Sequence, residues 1–147
     1  MSNVTTYFDW VQKCLFQFQW IEVSLKIAIS ISQALIKERV NGALEYRPGK
    51  EKLDKYTLGR LVEVYERLGG DLALGQELRG HIKVRNALAH EAFILNEKEQ
   101  RDEVFLGRRI AELQALYDKL GGVVKALHDR ITALDAMLNK APNSEAD

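Results

Sequence analysis

The sequence predicts an all-α fold, an antiparallel helical bundle of four to five helices, two of them long. Apolar residues recur at three- and four-residue steps over most of the chain, and no stretch shows the polar–apolar alternation of a strand. The two prolines, Pro48 and Pro142, lie outside the periodic segments. Because 147 residues is the length of one domain, we expect a single helical domain over residues 1–139. Residues 140–147 have no apolar anchor and are expected to form a flexible tail.

The first long helix is predicted to run from Thr6 to about Glu38. Its apolar stripe is interrupted by Glu22 and Ser32. A carboxylate on an apolar face is costly unless a cation or hydrogen-bond donor meets it. Glu22 therefore either has a partner within the protein or lies at the stripe edge and reaches solvent. The stripe consists of Val11, Leu15, Phe18, Leu25, Ile29 and Ile36.

A long, mostly irregular connection is expected over residues 40–56, which contain Asn-Gly and Pro-Gly turn signals. Thr57 can cap a short helix that runs from Leu58 to Leu68. The pair Gly69-Gly70 then ends this helix, because glycine adopts the left-handed conformation found after helix C-termini.

Two further helices complete the expected bundle. Asp71 can cap a helix that continues to about Asn96, and a long last helix begins near Glu99. Gly121-Gly122 interrupts the helix propensity of this last segment and is expected either to kink it or to admit a close neighbour. Its apolar residues keep an unbroken 4-3 spacing, typical of packing along the full length. They are Leu106, Ile110, Leu113, Tyr117, Leu120, Val124, Leu127, Ile131, Leu134 and Leu138.

The composition is that of a soluble protein without a general affinity for polyanions. Lys+Arg and Asp+Glu balance at 21 each, which argues against bulk electrostatic binding of nucleic acid but not against a local phosphate site. The single cysteine, Cys14, cannot form an internal disulfide, and there is no signal-peptide pattern. Polar residues break every apolar run before the ~20 residues of a membrane span. We expect a cytoplasmic protein that does not associate with membranes.

One short stretch near the middle carries residues that helix formation does not require. Arg85, Asn86 and His90 lie within six residues, among small apolar side chains. Arginine binds phosphate in a bidentate fork, and histidine can exchange a proton with a hydroxyl or a leaving oxygen. An amide can hold the imidazole in one tautomer or donate to a phosphate oxygen. This set fits cleavage of an RNA phosphodiester through the ribose 2′-hydroxyl, without a metal ion or other cofactor.

The helix that contains this stretch is apolar on two sides, so it needs two surfaces to pack against. We expect one surface to be the bundle and the other to be a second copy of the protein, in a homodimer that gathers two sets of Arg85 and His90 near the interface. The stripe expected to face the core is Val84, Leu88, Ala92 and Leu95. The second apolar arc is Leu78, Ile82, Ala89 and Phe93.

The stretch resembles the HEPN domain family (higher eukaryotes and prokaryotes nucleotide-binding), whose motif is Arg, four to six residues, then His. An asparagine directly after the arginine is frequent in that family. Here the motif reads Arg85-Asn86-Ala87-Leu88-Ala89-His90.

The resemblance implies a small HEPN-like bundle that dimerises to form a metal-independent endoribonuclease. It also implies a role as toxin or effector in a prokaryotic toxin–antitoxin or anti-phage defence system, with an antitoxin or regulator as a possible partner. Arg85 and His90 would then be catalytic, with Asn86 supporting. Glu22 would match the acidic residue of the first helix that some members place beside the arginine. The alternative is a non-catalytic HEPN-like module that binds RNA, a nucleotide or a protein partner.

One position departs from a subset of the family. Toxins that are silenced by adenylylation carry a tyrosine two residues after the histidine, and this chain has Ala92 there. Regulation through that tyrosine is therefore not expected.

Other candidate sites have simpler structural explanations. His81, four residues before Arg85, either extends the site or is merely exposed, and His128 is interpreted as structural or solvated. Three dispersed histidines and one cysteine make no convincing zinc site. The acidic residues that open the last helix suit the helix dipole. The early aromatic residues are expected in the core or in a dimer interface: Trp10, Phe16, Phe18 and Trp20.

Overall fold

A computed structural model of the protein describes residues 2–48 and 52–140. Within these ranges the regular elements are helices, which confirms the all-α bundle with two long helices. The predicted tail beyond Lys140 lies outside the described residues. A 3₁₀ turn spans Leu53–Lys55. The α-helices are Asn3–Val40 (α1), Leu58–Arg67 (α2), Leu72–His90 (α3), Glu97–Arg101 (α4) and Glu103–Asn139 (α5).

Two predicted helix starts are confirmed at the level of single hydrogen bonds. The Thr57 side chain accepts a hydrogen bond from the Arg60 backbone N–H, and the Asp71 carboxylate accepts one from the Ala73 N–H. Each contact satisfies a donor that the first turn of a helix leaves without an internal partner. The end of α2 is also as expected, because Gly69 adopts a left-handed φ of 87° immediately after it.

The end of α3 differs from the prediction: the helix stops at His90 and does not reach Asn96. The backbone N–H groups of Glu91 and Ala92 both bond to the Ala87 carbonyl, which closes the helix. Asn96 instead caps α4 by accepting a hydrogen bond from the Glu99 N–H. Asn96, which was predicted to lie at the end of α3, is therefore the N-terminal cap of α4.

The last long helix also starts later than predicted, at Glu103 rather than near Glu99. Asp102 caps it by accepting a hydrogen bond from the Phe105 N–H. Helix α5 is assigned without a break across Gly121 and Gly122, and a Cβ at either glycine would meet nothing within 4 Å. No neighbour packs closely there, so the expected close approach is wrong, whereas a kink at these glycines stays a prediction.

The helix directions are mixed rather than purely antiparallel. Helices α1 and α5 run in the same direction, since Asn3 bonds to Glu103 near their starts and Ser32 lines the same small cavity as Leu134 near their ends. Helix α3 runs the opposite way, because its C-terminal end meets the start of α1 at Tyr7. Helix α2 runs in the same direction as α1. Asp54, just before α2, pairs with Lys26 of α1, and Tyr65 near the end of α2 lines the same small cavity as Ile36 of α1.

The core lies between α1 and α5, which pack along most of their length. The predicted stripe of α5 consists of two sets of residues that alternate along the helix, and the two sets are buried to different extents. One set is buried, and burial of each of its leucines contributes about 2 kcal/mol. Of the other set, Ile110, Tyr117, Val124 and Ile131 pack at the edge of the core. The buried set is Leu106, Leu113, Leu120, Leu127 and Leu134.

Helix α1 is unusually apolar for its length. It contains an 18-residue window with mean hydropathy 1.3, of which 39% is buried inside the bundle. By length and composition alone such a helix could cross a membrane, but the core helix of a soluble protein passes the same test.

Cys14 lies in the core on the inner face of α1. Its thiol donates a hydrogen bond to the Leu113 carbonyl of α5 at 3.3 Å. Burial disfavours the charged thiolate and raises the pKa of Cys14 to about 11. The thiol is therefore expected to be unreactive in the folded protein.

Replacing Gly69 by alanine should lower the free energy of unfolding by about 1 kcal/mol, because a Cβ strains the left-handed backbone. Gly122→Ala should raise it by about 0.5–1 kcal/mol, because it improves helix propensity in open space. Urea denaturation of both variants measures the two changes. A Gly69→Ala variant at least as stable as the wild type would contradict the left-handed backbone at the end of α2.

Candidate functional site

The candidate site is built on an ion pair between the first and third helices. A guanidinium nitrogen of Arg85 lies 3.3 Å from a carboxylate oxygen of Glu22. The two side chains are 33% and 21% exposed, so the pair is half-buried but open to solvent on one side. Glu22 thus has the cationic partner that its place on an apolar face requires.

Arg85 reaches Glu22 because it occupies the face of α3 that packs into the protein. Leu78 and Leu88 on this face are buried, and Ile82 packs against the core. These residues and Arg85 follow each other at three- and four-residue steps, so they share one side of the helix. The arginine therefore continues an apolar stripe, and its charged group is held at the junction of α3 with α1.

A second cation adjoins this pair and was not identified from the sequence. Lys26 follows Glu22 by four residues, so the two lie on one face of α1, in the order that favours a Glu–Lys pair. The Lys26 ammonium lies 3.6 Å from a carboxylate oxygen of Asp54 and the side chain is only partly exposed. The Glu-x-x-x-Lys spacing on a mostly uncharged helix was the signal that could have revealed it.

His90 is the last residue of α3 and its side chain is exposed. Asn86, one turn earlier, is also exposed and lies on the same face as His90. Among the described residues, no hydrogen bond or ion pair to the His90 imidazole is found. The imidazole is therefore free to meet a molecule from solvent.

Arg85 and His90 lie on different sides of α3. Five residues correspond to an offset of about 140° and a rise of about 7.5 Å in an α-helix. Arg85 is directed towards α1 and pairs with Glu22, whereas His90 is exposed at the helix end. Within one chain, Glu22 lies beside Arg85, and Asn86 lies on the same face as His90. The pair of Glu22 and Arg85 and the pair of Asn86 and His90 are on different sides of α3.

The chain segment after His90 is fixed to the start of α1. The Tyr7 hydroxyl donates a buried hydrogen bond of 2.8 Å to the Ala92 carbonyl. The rings of Phe8 and Phe93 stack with centroids 5.7 Å apart. These contacts hold the C-terminal end of α3, so the exposed imidazole projects from a fixed backbone.

The two apolar sides predicted for α3 are covered differently than expected. In the stripe assigned to the core, Leu88 and Ala92 are buried but Val84 is exposed. In the second arc, Leu78 is fully buried within the chain, and Phe93 is half-exposed while stacked on Phe8. The chain itself therefore covers much of the arc that was expected to meet a second copy. A homodimer at this arc stays a prediction.

A cavity of about 800 Å³ lies between α3 and α5. Val84 and Leu88 from α3 line it together with Leu113 from α5, whereas Arg85, Asn86 and His90 do not. Its charged lining residues have both signs, with Arg108 and Arg109 on α5 and three glutamates. The cavity is thus separate from the candidate site, and its charge favours no single class of ligand. The glutamates are Glu91, Glu99 and Glu112.

The other histidines do not join the site through any contact found in residues 2–48 and 52–140. His81 is partly buried and His128 is exposed on α5. In the same part of the chain, no three His, Cys, Asp or Glu side chains gather into a group that could hold a metal ion.

Comparison with known proteins adds no relative: no protein-family model, no curated protein and no solved structure matches this chain. The resemblance to HEPN proteins therefore stays a prediction that rests on the motif and its setting.

A double-mutant cycle should show that Glu22 and Arg85 stabilise the fold together. We expect a coupling free energy of about 1 kcal/mol between Glu22→Gln and Arg85→Gln, because the half-buried pair is shielded from water and salt. Urea denaturation of the wild type, both single variants and the double variant measures it.

The matched control is the pair Arg109–Glu112, which is shorter at 2.7 Å but more exposed. Its coupling should be only about 0.3 kcal/mol. Coupling at Glu22–Arg85 no larger than at the control would show that the pair does not hold α3 against α1.

Proposed function

We propose that this chain is a metal-independent endoribonuclease of HEPN type that acts through Arg85 and His90. The observation that best supports it is the half-buried Glu22–Arg85 pair, which holds a guanidinium at a helix junction, while an exposed imidazole projects from the C-terminal end of the same helix. Arginine so placed binds a phosphate, and a solvent-facing histidine serves as a proton acceptor. The motif that carries the family resemblance supplies both residues.

In the proposed reaction, an RNA strand lies across the C-terminal turns of α3, and the Arg85 guanidinium must bend round the helix towards His90 to share a phosphate with it. His90 takes the proton of a ribose 2′-hydroxyl, and the 2′-oxygen attacks the adjacent phosphorus. Arg85 donates hydrogen bonds to the non-bridging oxygens, where negative charge grows in the transition state. The bond to the 5′-oxygen breaks and this oxygen takes up a proton, leaving a 2′,3′-cyclic phosphate and a 5′-hydroxyl.

The remaining site residues would position these two groups. Glu22 orients the guanidinium, and Asn86 contacts either the imidazole or a phosphate oxygen from the neighbouring turn. Lys26, one turn further along α1, lies on the same side of that helix as Glu22 but is itself paired with Asp54. Since Arg85 already has an anionic partner, a phosphate must either share the guanidinium with Glu22 or displace it.

The biological role that we propose is that of a cytoplasmic toxin or effector in a prokaryotic toxin–antitoxin or anti-phage defence system. A nuclease with few contacts to bases would damage the host's own RNA, so a cognate antitoxin or regulator is part of the proposal. Ala92 stands where an adenylylated tyrosine would be, so this regulator would act by another route.

A non-catalytic module that binds RNA, a nucleotide or a protein partner is the second candidate. The observation that favours it is the separation of the two groups within one chain, with Arg85 paired to Glu22 and His90 without a contact to either. In that case Arg85 contributes to binding, and proton transfer by His90 is not needed.

Induced expression of the wild type should arrest growth and fragment total RNA, whereas His90→Ala should do neither. His90 is exposed at a helix end, so this substitution should change the free energy of unfolding by less than about 0.5 kcal/mol. Purified wild-type protein should cleave RNA in the presence of EDTA. An oligonucleotide with a 2′-deoxyribose at the cleaved position should be inert.

The matched control is His128→Ala, which removes an exposed histidine from α5 and should retain full activity. Arg85→Lys keeps the charge but loses bidentate binding, and should reduce the cleavage rate at least about 100-fold. If the wild type binds RNA but leaves it intact, and His90→Ala binds equally well, the binding module is the correct function.

A further inference from the structure

The outer surface of α1 presents a continuous apolar stripe that nothing in the described chain covers. Phe16, Trp20, Val23 and Ile27 are 61%, 58%, 44% and 43% exposed. Their spacing of four, three and four residues places them on one side of the helix, opposite the core face. Single exposed apolar residues are ordinary, but a stripe of four that includes two aromatic side chains marks an interaction surface.

The same surface is nearly free of charge. Between Lys13 and Lys37 the only charged residues of α1 are Glu22 and Lys26, and these face Arg85 and Asp54 rather than solvent. The polar residues beside the stripe are uncharged, such as Gln17 and Gln19. Loss of charged residues at the centre of an exposed patch, together with aromatic enrichment, is typical of protein–protein interfaces. Helices that lie on membranes instead carry Lys and Arg beside their apolar face.

We propose that this stripe is the interface through which two copies of the protein pair, with their α1 helices antiparallel. In that register, the two-fold axis passes beside Ile21 and Glu22. Phe16 then packs on Ile27 of the second copy, and Trp20 packs on its Val23. The stripe is therefore self-complementary, as an isologous interface requires, and each end places one aromatic against one β-branched side chain.

The charges at the ends of the stripe favour this direction. Antiparallel pairing brings Asp9 of one copy within about one helical turn of both Lys37 and Glu38 of the other, so charges of both signs mix at each end of the interface. Parallel pairing would place each of Asp9, Lys13 and Lys37 beside its own counterpart, so that like charges meet. Antiparallel helices also align their dipoles favourably.

The contact is long enough for a specific dimer. Residues 16–34 span roughly 27 Å of helix. Each of the two exposed aromatic side chains can bury on the order of 100 Å², given their exposed fractions and the 150–250 Å² of a whole aromatic residue. Four such side chains at the centre supply a substantial part of the ~1,200 Å² of a stable interface, with the rest from the flanking turns.

This pairing places both candidate sites on the same side of the dimer. Glu22 lies about 130° around α1 from the middle of the stripe. A two-fold axis perpendicular to antiparallel helices keeps both Glu22–Arg85 pairs on one side, at the same height along the α1 pair. The interface itself does not depend on the catalytic proposal, because none of the four stripe residues belongs to the site.

The first test is the mass of the protein in solution, by light scattering with size-exclusion chromatography. The wild type should have twice the mass of the 16.7 kDa chain. Trp20→Glu and Phe16→Glu should each raise the dissociation constant of the dimer at least about 100-fold, since a charge replaces a central aromatic side chain. Circular dichroism should show unchanged helix content, as both side chains are exposed.

The matched control is Val104→Glu, which introduces the same charge at an exposed apolar residue at the start of α5. This variant should remain dimeric. A wild-type protein that stays monomeric up to roughly 100 µM, or loss of the dimer in Val104→Glu but not in Trp20→Glu, overturns the proposal.

The register is tested by cysteine cross-linking under mild oxidation. A mixture of Phe16→Cys and Ile27→Cys proteins should form a disulfide-linked heterodimer, whereas neither variant alone should cross-link, because residues 16 and 16 lie roughly 16 Å apart in this register. The wild type is the control, since Cys14 is buried with its pKa raised to about 11. Self-linked Phe16→Cys without the mixed product indicates parallel pairing and overturns the proposal.

Binding to a membrane is the competing use of the same stripe. The wild type should not sediment with vesicles of phosphatidylethanolamine and phosphatidylglycerol. Sedimentation of a monomeric wild type that Trp20→Glu abolishes would show that the stripe meets lipid instead of a second copy.

Discussion

The half-buried carboxylate of Glu22 constrains the arrangement of the helices around the candidate site. Placed among the buried side chains of α1, it requires a cation from another element. Arg85 meets this requirement from α3, at 3.3 Å, and so fixes which turn of α3 lies against α1. The hydrogen bond from Tyr7 to the Ala92 carbonyl fixes the next contact towards the helix end. Together they determine where the exposed imidazole of His90 projects.

Local features of the fold could be predicted from the sequence, and long-range ones could not. Thr57 and Asp71 act as caps because a cap depends on three or four consecutive residues. The end of α3 was placed too late, because the apolar spacing continues past His90 into a segment that tertiary contacts hold in a turn. The parallel direction of α1 and α5 depends on where α2 begins beside α1, which is close to Lys26, and periodicity contains no information about that position.

Part of the candidate site could likewise be predicted from the sequence, and part of it could not. From its place on an apolar face, Glu22 was expected either to have a partner within the protein or to reach solvent at the stripe edge, and the structure gives it a partner, Arg85 of the motif. The surfaces of α3 could not be assigned in this way, because a helical projection shows that two sides are apolar but not what covers them. Val84 is exposed beside a cavity, whereas Leu78 is buried under neighbouring helices. A continuous apolar stripe that the described chain leaves uncovered lies instead on the outside of α1.

Helix α1 thus has an inner face that builds the site and an outer face that we assign to a second copy. With helix axes 8–10 Å apart in the pair, the two Glu22 residues lie on the order of 15 Å from each other. One phosphate cannot contact both Arg85 side chains at that separation. In the proposed dimer, each chain of the proposed nuclease would therefore act on its own phosphodiester, with both candidate sites open to the same side. A shared cleft that combines two sets of Arg85 and His90 would need a different interface, at the C-terminal end of α3, where Ala89 and Phe93 remain exposed.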